Sequence, residues 1–237
     1  MTGASSIRPS AAARLVRFLR SLVAPLALFL VLRTFVVEAF HIWPSGSMER
    51  TLLIGDFLFV NKALYGAEVP VLHRRLPGFR EPQRLDVVIF ESVEEPGLTV
   101  VKRIMGLPGD TLAMRGNVLE LNGVPLDEPY VQQVPGRWAQ RDPEMRRWQL
   151  PHLAGGNGAT YAPTSWDWGP LVVPPDSFFV MGDNRDDSYD SRYWGFLGRG
   201  RIRGSPFLVY FSYDRTHPAP LPFLTGIRWG RILSVPR

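Results

Sequence analysis

A long apolar segment near the N-terminus limits what this chain can fold into more than any other feature. An uncharged run extends from Ser21 to Leu32, and after Arg33 the apolar character resumes over Thr34–Val37. A membrane-spanning helix needs about 20 mostly apolar residues, so the sequence predicts a transmembrane helix. We expect three parts: a basic tail over residues 1–14, a transmembrane anchor over 15–40 and a domain over 41–237.

The charges next to this segment predict its orientation. Four arginines and no acidic residue precede the apolar run: Arg8, Arg14, Arg17 and Arg20. Positively charged flanks tend to stay in the cytoplasm, so we expect a cytoplasmic tail and an extracytoplasmic domain. A cleavable signal peptide is the alternative. The following stretch, "FVVEAFHIW", is bulky and offers no A-x-A cleavage site, which favours an uncleaved anchor.

The charge of the whole chain is typical of a nucleic-acid-binding protein, since the net charge is +5 and the pI is 9.9. Its distribution argues against that class. Residues 1–40 hold five of the 27 basic residues and one of the 22 acidic ones, so the remainder is nearly neutral. Cysteine is absent, and the four histidines lack the spacing of a ligand pair. We therefore expect no nucleic-acid partner, no metal and no cofactor.

Beyond the anchor, the apolar pattern is typical of β-strands. Short runs rich in Val, Phe and Ile are separated by Gly, Pro and Asp, and Asn122-Gly123 is a hairpin signal. Pro, Gly and Trp crowd residues 124–170, which predicts an insertion made either of long surface loops or of a small accessory β subdomain. The predicted fold is mostly β. Its strands are expected at 56–62, 85–91, 98–105, 117–123, 177–183 and 206–213.

Lysine is rare in this chain: of the 27 basic residues only Lys62 and Lys102 are lysines. Lysine can lose its proton inside a protein and arginine effectively cannot, so a lysine kept in an arginine-rich chain can indicate a chemical requirement. Lys62 ends a predicted strand, where an exposed charge is ordinary. Lys102 lies in "GLTVVKRIMGLPGD". If its face of the strand is buried, its pKa falls and the neutral amine can act as a base.

A neutral lysine can activate a serine hydroxyl without any histidine. Candidate serines lie in "PSGSMERTLLIGDF", residues 44–57, just after the anchor. A third polar segment, "MGDNRDDSYDSRYWG", covers residues 181–195, and it lacks the ligand spacing of an EF-hand calcium loop. We expect its Asp–Arg pairs and hydroxyls to form a buried polar network that supports a site.

The three segments "PSGSMERTLLIGDFLFVNK", "VVKRIMGLPGD" and "GDNRDDSYDSRYWG" resemble, in the same order, the successive sequence boxes of the bacterial type I signal peptidases. The resemblance covers about residues 15–123 and 171–237. It implies a membrane-bound Ser/Lys endopeptidase of the bacterial cytoplasmic membrane that removes signal peptides from exported preproteins at A-x-A-like sites. The implied partners are these preproteins and the lipid bilayer.

The resemblance also implies a role for each matching residue. Ser47 matches the nucleophile and Lys102 the general base. The Ser45 hydroxyl and the backbone N–H of Ser47 match the oxyanion hole. The remaining residues are expected to orient the lysine or to support the site electrostatically: Ser188, Asp190, Arg192, Asp183 and Arg185.

Two residues depart from the pattern of this family. Arg50 stands where a proline is usual, which removes a constraint on the turn after the nucleophile. Asp187 stands where asparagine is usual and adds a negative charge near Lys102, which favours the protonated amine. Two alternatives stay open: a Ser/Lys peptidase dedicated to one substrate, and an inactive membrane-tethered binding protein on the same scaffold.

Overall fold

The computed structural model describes residues 11–41, 46–69, 74–134, 137–155, 158–216, 218 and 220–236. Helix α1 covers Ala11–Val31 and continues as a π-helical segment over Leu32–Val36. Its stretch Arg17–Val36 is long and apolar enough to cross a membrane, and no part of that stretch is buried by the rest of the protein. This exposed apolar surface fits a membrane anchor.

The C-terminal end of the predicted anchor is wrong. Residues Val37–His41 form strand β1, which pairs with β2 (Asp56–Asn61) from Val37↔Asn61 to His41↔Phe57. A stretch as short as Val37–His41 does not distinguish a strand from the end of a helix by its pattern alone, so the sequence could not locate this change. The backbone groups of β1 are satisfied by the edge of β2, which ends the helical region four residues before residue 40.

The rest of the chain is mostly strand, as predicted. After β1 and β2, the remaining strands are β3 (Glu68–Val69), β4 (Arg74–Arg75), β5 (Val87–Glu91), β6 (Thr99–Gly106), β7 (Thr111–Arg115), β8 (Val118–Leu121), β9 (Val124–Pro125), β10 (Trp168–Val172), β11 (Ser177–Met181), β12 (Leu197–Gly198) and β13 (Ile202–Ser212). The short helices are α2 (Pro143–Gln149), α3 (Ser191–Trp194) and α4 (Pro222–Thr225).

The main sheet has seven strands in the order β1-β2-β13-β5-β6-β11-β12, with every neighbouring pair antiparallel. Five of the six predicted strand segments lie in this sheet and the sixth, 117–123, is β8 of the second sheet; all are confirmed within a few residues at their ends. β6 is central and buried on both faces from Val101 onward, which explains why apolar residues stand on both sides of Lys102 and Arg103. It pairs with β5 along Thr99–Arg103 and with β11 only from Arg103 onward.

A second, four-stranded sheet in the order β10-β7-β8-β9 forms the accessory part of the fold. The predicted hairpin at Asn122-Gly123 joins β8 to β9, and both residues have positive φ, as a type I′ turn requires. β7 and β10 were not predicted. α2 packs against α3, and the side chains of Trp148 and Gln149 both donate hydrogen bonds of 3.0 Å to the carbonyl of Arg192. The accessory part therefore contacts the polar segment 181–195 directly.

Three buried apolar clusters hold these layers together. One lies between the accessory sheet and β11, and the second joins Met48 and Leu52 to β2, β5 and β13. The third packs on the other face of β5 and β6, around Phe90 and Ile104. Since β6 contributes to all three clusters, a polar side chain on it is enclosed by the best-packed part of the domain.

Candidate active site

Ser47 lies in a single 3₁₀ turn, Gly46–Met48, and is buried. The next side chain, Met48, is inserted into an apolar cluster, and the amide of Leu52 donates a 2.8 Å hydrogen bond to the Met48 carbonyl. The buried side chain of Met48, immediately after the serine, therefore fixes the turn. Ser45, predicted to contribute to an oxyanion hole, lies outside the described residues.

Lys102 extends from β6 toward this turn. Its Nζ lies 2.5 Å from Oγ of Ser47, a hydrogen bond between residues 55 positions apart in the sequence. The lysine is 5% exposed, so the dyad is shielded from bulk water. Nucleophile and base within hydrogen-bond distance are the first geometric requirement of serine activation.

Burial lowers the pKa of Lys102 from 10.5 to about 8. Removal of the ammonium from water is the largest cause, and Arg192 acts in the same direction. The negative charges of Asp190, Asp183 and Asp187 oppose the shift. Desolvation prevails, so a substantial share of the lysine is neutral at mildly alkaline pH, and a neutral amine can accept the Ser47 proton.

The polar loop 182–192 closes over the dyad. A Cβ atom on Gly182 would lie 2.3 Å from Oγ of Ser188 and 2.5 Å from the carbonyl oxygen of Ser47, so only glycine permits this approach. The amide of Asn184 donates a 3.0 Å hydrogen bond to the Ser47 carbonyl. The loop thus fixes the backbone of the serine turn as well as the surroundings of the lysine.

Ser188 is buried beside the dyad, but its hydroxyl donates to Oδ2 of Asp190 at 2.7 Å and makes no hydrogen bond to Lys102. Its predicted role in orienting the lysine stays a prediction. Asp190 is fully buried and also accepts from the Gly182 amide and from Arg192. Although burial acts to raise the pKa of Asp190, Arg192 holds it below the ordinary value. The buried carboxylate is therefore charged.

The site contains a second buried ion pair, of which the sequence predicted only Asp183. Asp183 pairs with Arg103, with Arg103 Nη2 2.6 Å from Asp183 Oδ2, and it also accepts a 2.5 Å hydrogen bond from the Thr51 hydroxyl. Sequence reasoning missed Arg103 and Thr51. The available signal was a second cation, Arg103, in the middle of an otherwise apolar strand, because a buried cation needs a partner.

Arg185 forms a bidentate pair with Glu128, a residue of the insertion that no sequence box contains. Both side chains are almost fully buried. The Nε atom of Arg185 also donates to the carbonyl of Gly182 at 3.2 Å. Through this arginine, the insertion contacts the loop that closes over Ser47 and Lys102.

The two departures from the family pattern have visible consequences. Arg50 has a φ of 89°, which proline cannot adopt, so the turn after Ser47 differs from one that contains proline. Asp187 is exposed, and its carboxylate raises the pKa of Lys102, as expected from its charge. An added Cβ on Gly46 would lie 2.8 Å from this carboxylate, which places Asp187 directly beside the serine turn.

Seven of the eight predicted site residues lie around one point: Ser47, Lys102, Asp183, Arg185, Ser188, Asp190 and Arg192. Chemically, the arrangement provides a hydroxyl beside a desolvated amine and a charged second layer that fixes both. Among the described residues there is no group of His, Asp or Glu that could hold a metal ion.

Comparisons with known proteins give one consistent result. The profile of the family described as signal peptidase, peptidase S26, matches residues 15–211. Signal peptidase I of Pseudomonas aeruginosa is 37% identical over 221 residues, covering 88% of this chain and 76% of that protein. Signal peptidase I of Leptolyngbya laminosa is 33% identical over 215 residues, covering 88% of this chain and 85% of that protein. A crystal structure of a signal peptidase I from Enterococcus faecalis is 32% identical and covers 53% of this chain and 97% of that chain, with a TM-score of 0.36.

Proposed function

Because the chain belongs to the signal peptidase family, peptidase S26, we propose that Ser47 and Lys102 are the dyad with which it cleaves signal peptides from preproteins. The observation that carries this assignment is the 2.5 Å contact between Ser47 Oγ and Lys102 Nζ in a buried site. A protonated lysine could not accept the serine proton, and burial lowers the pKa of Lys102 to about 8.

The chemistry follows from these two groups. Lys102 takes the Ser47 proton as Oγ attacks the scissile carbonyl, and the resulting ammonium returns the proton to the leaving amine. The mature protein then leaves with a free amino group. Water, deprotonated in turn by Lys102, hydrolyses the ester between Ser47 and the signal peptide. The Ser47 backbone N–H and the Ser45 hydroxyl would stabilise the oxyanion of each tetrahedral intermediate.

The substrate would bind as an extended strand. On the β11 side of β6, pairing covers Arg103–Gly106, and the stretch Thr99–Lys102 has no neighbouring strand there in the part of the chain that the structure describes. An extended peptide can add to such an edge through main-chain hydrogen bonds. This edge leads directly to Lys102, so a paired preprotein would present its carbonyl beside Ser47.

We place the protein in the bacterial cytoplasmic membrane with α1 as its anchor, the tail inside and the peptidase domain outside. The support is the apolar, uncovered stretch Arg17–Val36 and the arginines that precede it. Aromatic side chains of β2 and β13 contact one another in a cluster next to β1, where the chain leaves the anchor. Aromatic residues favour the membrane interface, so this cluster would lie at the bilayer surface.

Topology is testable with spheroplasts. External protease should digest the domain from residue 41 onward and spare the N-terminal tail. Disruption of the membrane before protease treatment should expose the tail as well, which controls for intrinsic resistance. A domain protected in intact spheroplasts would contradict the orientation.

The dyad assignment is tested with the full-length protein in mild detergent and a preprotein that carries an A-x-A site. Ser47→Ala should abolish processing, while Ser177→Ala, a change on β11 that removes no hydrogen bond of the described structure, should leave it intact. Processing by the Ser47→Ala variant at a rate near that of the wild type would overturn the proposal.

A further inference from the structure

The segment Glu128–Val134 of the insertion runs beside the polar loop 182–192, called the catalytic loop below. Gln132 pairs in parallel with Asn184, and its amide donates a 2.8 Å hydrogen bond to the carbonyl of Asp183. The amide of Arg185 in turn donates to the Gln132 carbonyl at 3.1 Å. The segment is thus bridged to the loop on both sides of Gln132, although it belongs to none of the three sequence boxes.

Side chains reinforce this pairing at both ends. At the start, Glu128 makes its buried bidentate pair with Arg185. At the end, the amide of Val134 donates to the carboxylate of Asp186 at 2.7 Å. Between them, the ring of Tyr130 lies under the guanidinium of Arg103, 4.1 Å from the ring centroid. Buried, charge-assisted contacts of this kind fix geometry more strongly than exposed ones.

Arg50 connects the same segment to the nucleophile. It lies three residues after Ser47, and its Nη1 donates a 3.0 Å hydrogen bond to the carbonyl of Val131. Its φ of 89° is costly for a residue with a side chain. Arginine in this conformation therefore needs a compensating contact, and the bond to Val131 supplies one.

We propose that Glu128–Val134 is a positioning strap that holds the Ser47 turn and the catalytic loop in register, with Arg50 and Glu128 as its positioning residues. The strap is bonded to the turn through Arg50 and to the loop through Glu128 and Gln132. This inference rests on the proposed function of Ser47 and Lys102, because it concerns their alignment.

The strap also governs the surroundings of Lys102. The charged groups that act on the lysine, Asp183, Asp187, Asp190 and Arg192, all lie on the loop that the strap holds. Burial is the main cause of the low pKa of Lys102. A loosened loop would admit water to the lysine, so this pKa would rise. Loss of the strap should therefore change the pH dependence of the reaction as well as its rate.

The test measures kcat, KM and the pH profile of preprotein cleavage by the full chain in detergent. Arg50→Gly removes the tether and accepts the positive φ without strain, so it isolates the side chain. Glu128→Gln weakens the second attachment. Each variant should lose about ten- to hundredfold in kcat with little change in KM, and the rise of activity with pH should move to higher pH. Arg50→Lys, which keeps a donor, should recover part of the loss.

Glu144→Gln is the matched control, because it removes an exposed carboxylate that pairs with Arg147 at 3.3 Å on the surface of the insertion. It should behave as the wild type. A uniform loss of activity at every pH in Arg50→Gly would mean a merely structural contact and would refute the strap. So would unchanged kcat in Arg50→Gly, whose exposed side chain is not needed for folding even if Glu128→Gln fails to fold. An inactive Ser47→Ala together with a fully active Arg50→Gly would reject the strap alone and leave the dyad intact.

Discussion

Replacing Lys102 by methionine should make the protein more stable at neutral pH while abolishing its activity. The lysine is buried and its pKa falls from 10.5 to about 8, so folding must release a proton or desolvate a charge. Each pKa unit corresponds to about 1.4 kcal/mol. The burial of Lys102 therefore lowers the free energy of unfolding at pH 7 by about 3 kcal/mol. Methionine has a similar length and no charge.

The stability that Lys102→Met gains is reduced by the loss of one hydrogen bond. Ser47 gives up its hydrogen bond to Lys102, which costs about 1 kcal/mol. The net increase in the free energy of unfolding should be about 2 kcal/mol, or roughly 4–8 °C in Tm for a domain of this size.

The sign of the pH dependence makes the prediction specific. Between pH 8 and 10.5 the unfolded chain binds the lysine proton and the folded protein does not, so the stability of the wild type rises with pH. The advantage of Lys102→Met is therefore full below pH 8 and declines toward pH 10.5. At still higher pH only the lost hydrogen bond to Ser47 remains, so the variant should be about 1 kcal/mol less stable than the wild type.

Unfolding of the full chain by urea in one detergent, followed at several pH values between 6 and 10.5, measures this difference. Lys62→Met is the control, because Lys62 makes an ion pair of 3.4 Å with the half-exposed Glu38 and such pairs contribute about 0–1 kcal/mol. It should give no stabilisation. A Lys102→Met variant that is less stable than the wild type at pH 7 would refute the idea that desolvation of Lys102 poises it as a base.

Two further predictions concern the charged residues around the dyad. Asp187→Asn removes an anion that raises the pKa of Lys102, so the rise of cleavage rate with pH should move to lower pH. Asp176→Asn, an exposed change at the start of β11, should leave the profile in place, and an unmoved profile in both variants would contradict the electrostatic reasoning. Asp183→Asn leaves Arg103 buried without its counter-ion and should lower the free energy of unfolding by about 3–5 kcal/mol, measured by the same urea titration. A loss below about 1 kcal/mol would mean that water reaches Arg103.

Local patterns in the sequence account for five of the seven strands of the main sheet and for Lys102 as a candidate. Val- and Ile-rich runs between turn residues located six strands, and Lys102 stood out because it is one of two lysines. Whether its face of the strand is buried was left open by the sequence, and the structure shows that it is. The resemblance of the first box to the family's, with Ser47 next to Met48, implied which serine would meet it.

Contacts between distant positions were beyond such reasoning. The hydrogen bond from Arg50 to Val131 joins residues 81 positions apart, and the pair of Arg185 and Glu128 spans 57. Nothing local distinguishes Glu128 from a surface carboxylate. Similarly, nothing in the short stretch Val37–His41 distinguishes a strand from the end of the anchor, and only its pairing with β2 makes it a strand.

The most direct test of the Ser/Lys assignment is the rate of preprotein cleavage by Lys102→Arg. This substitution keeps the positive charge and much of the length in a chain that already has 25 arginines among its 27 basic residues. A guanidinium stays protonated and cannot accept the proton of Ser47, so cleavage should vanish. Lys62→Arg, the same change at the other lysine, should retain activity. An active Lys102→Arg enzyme would contradict the account.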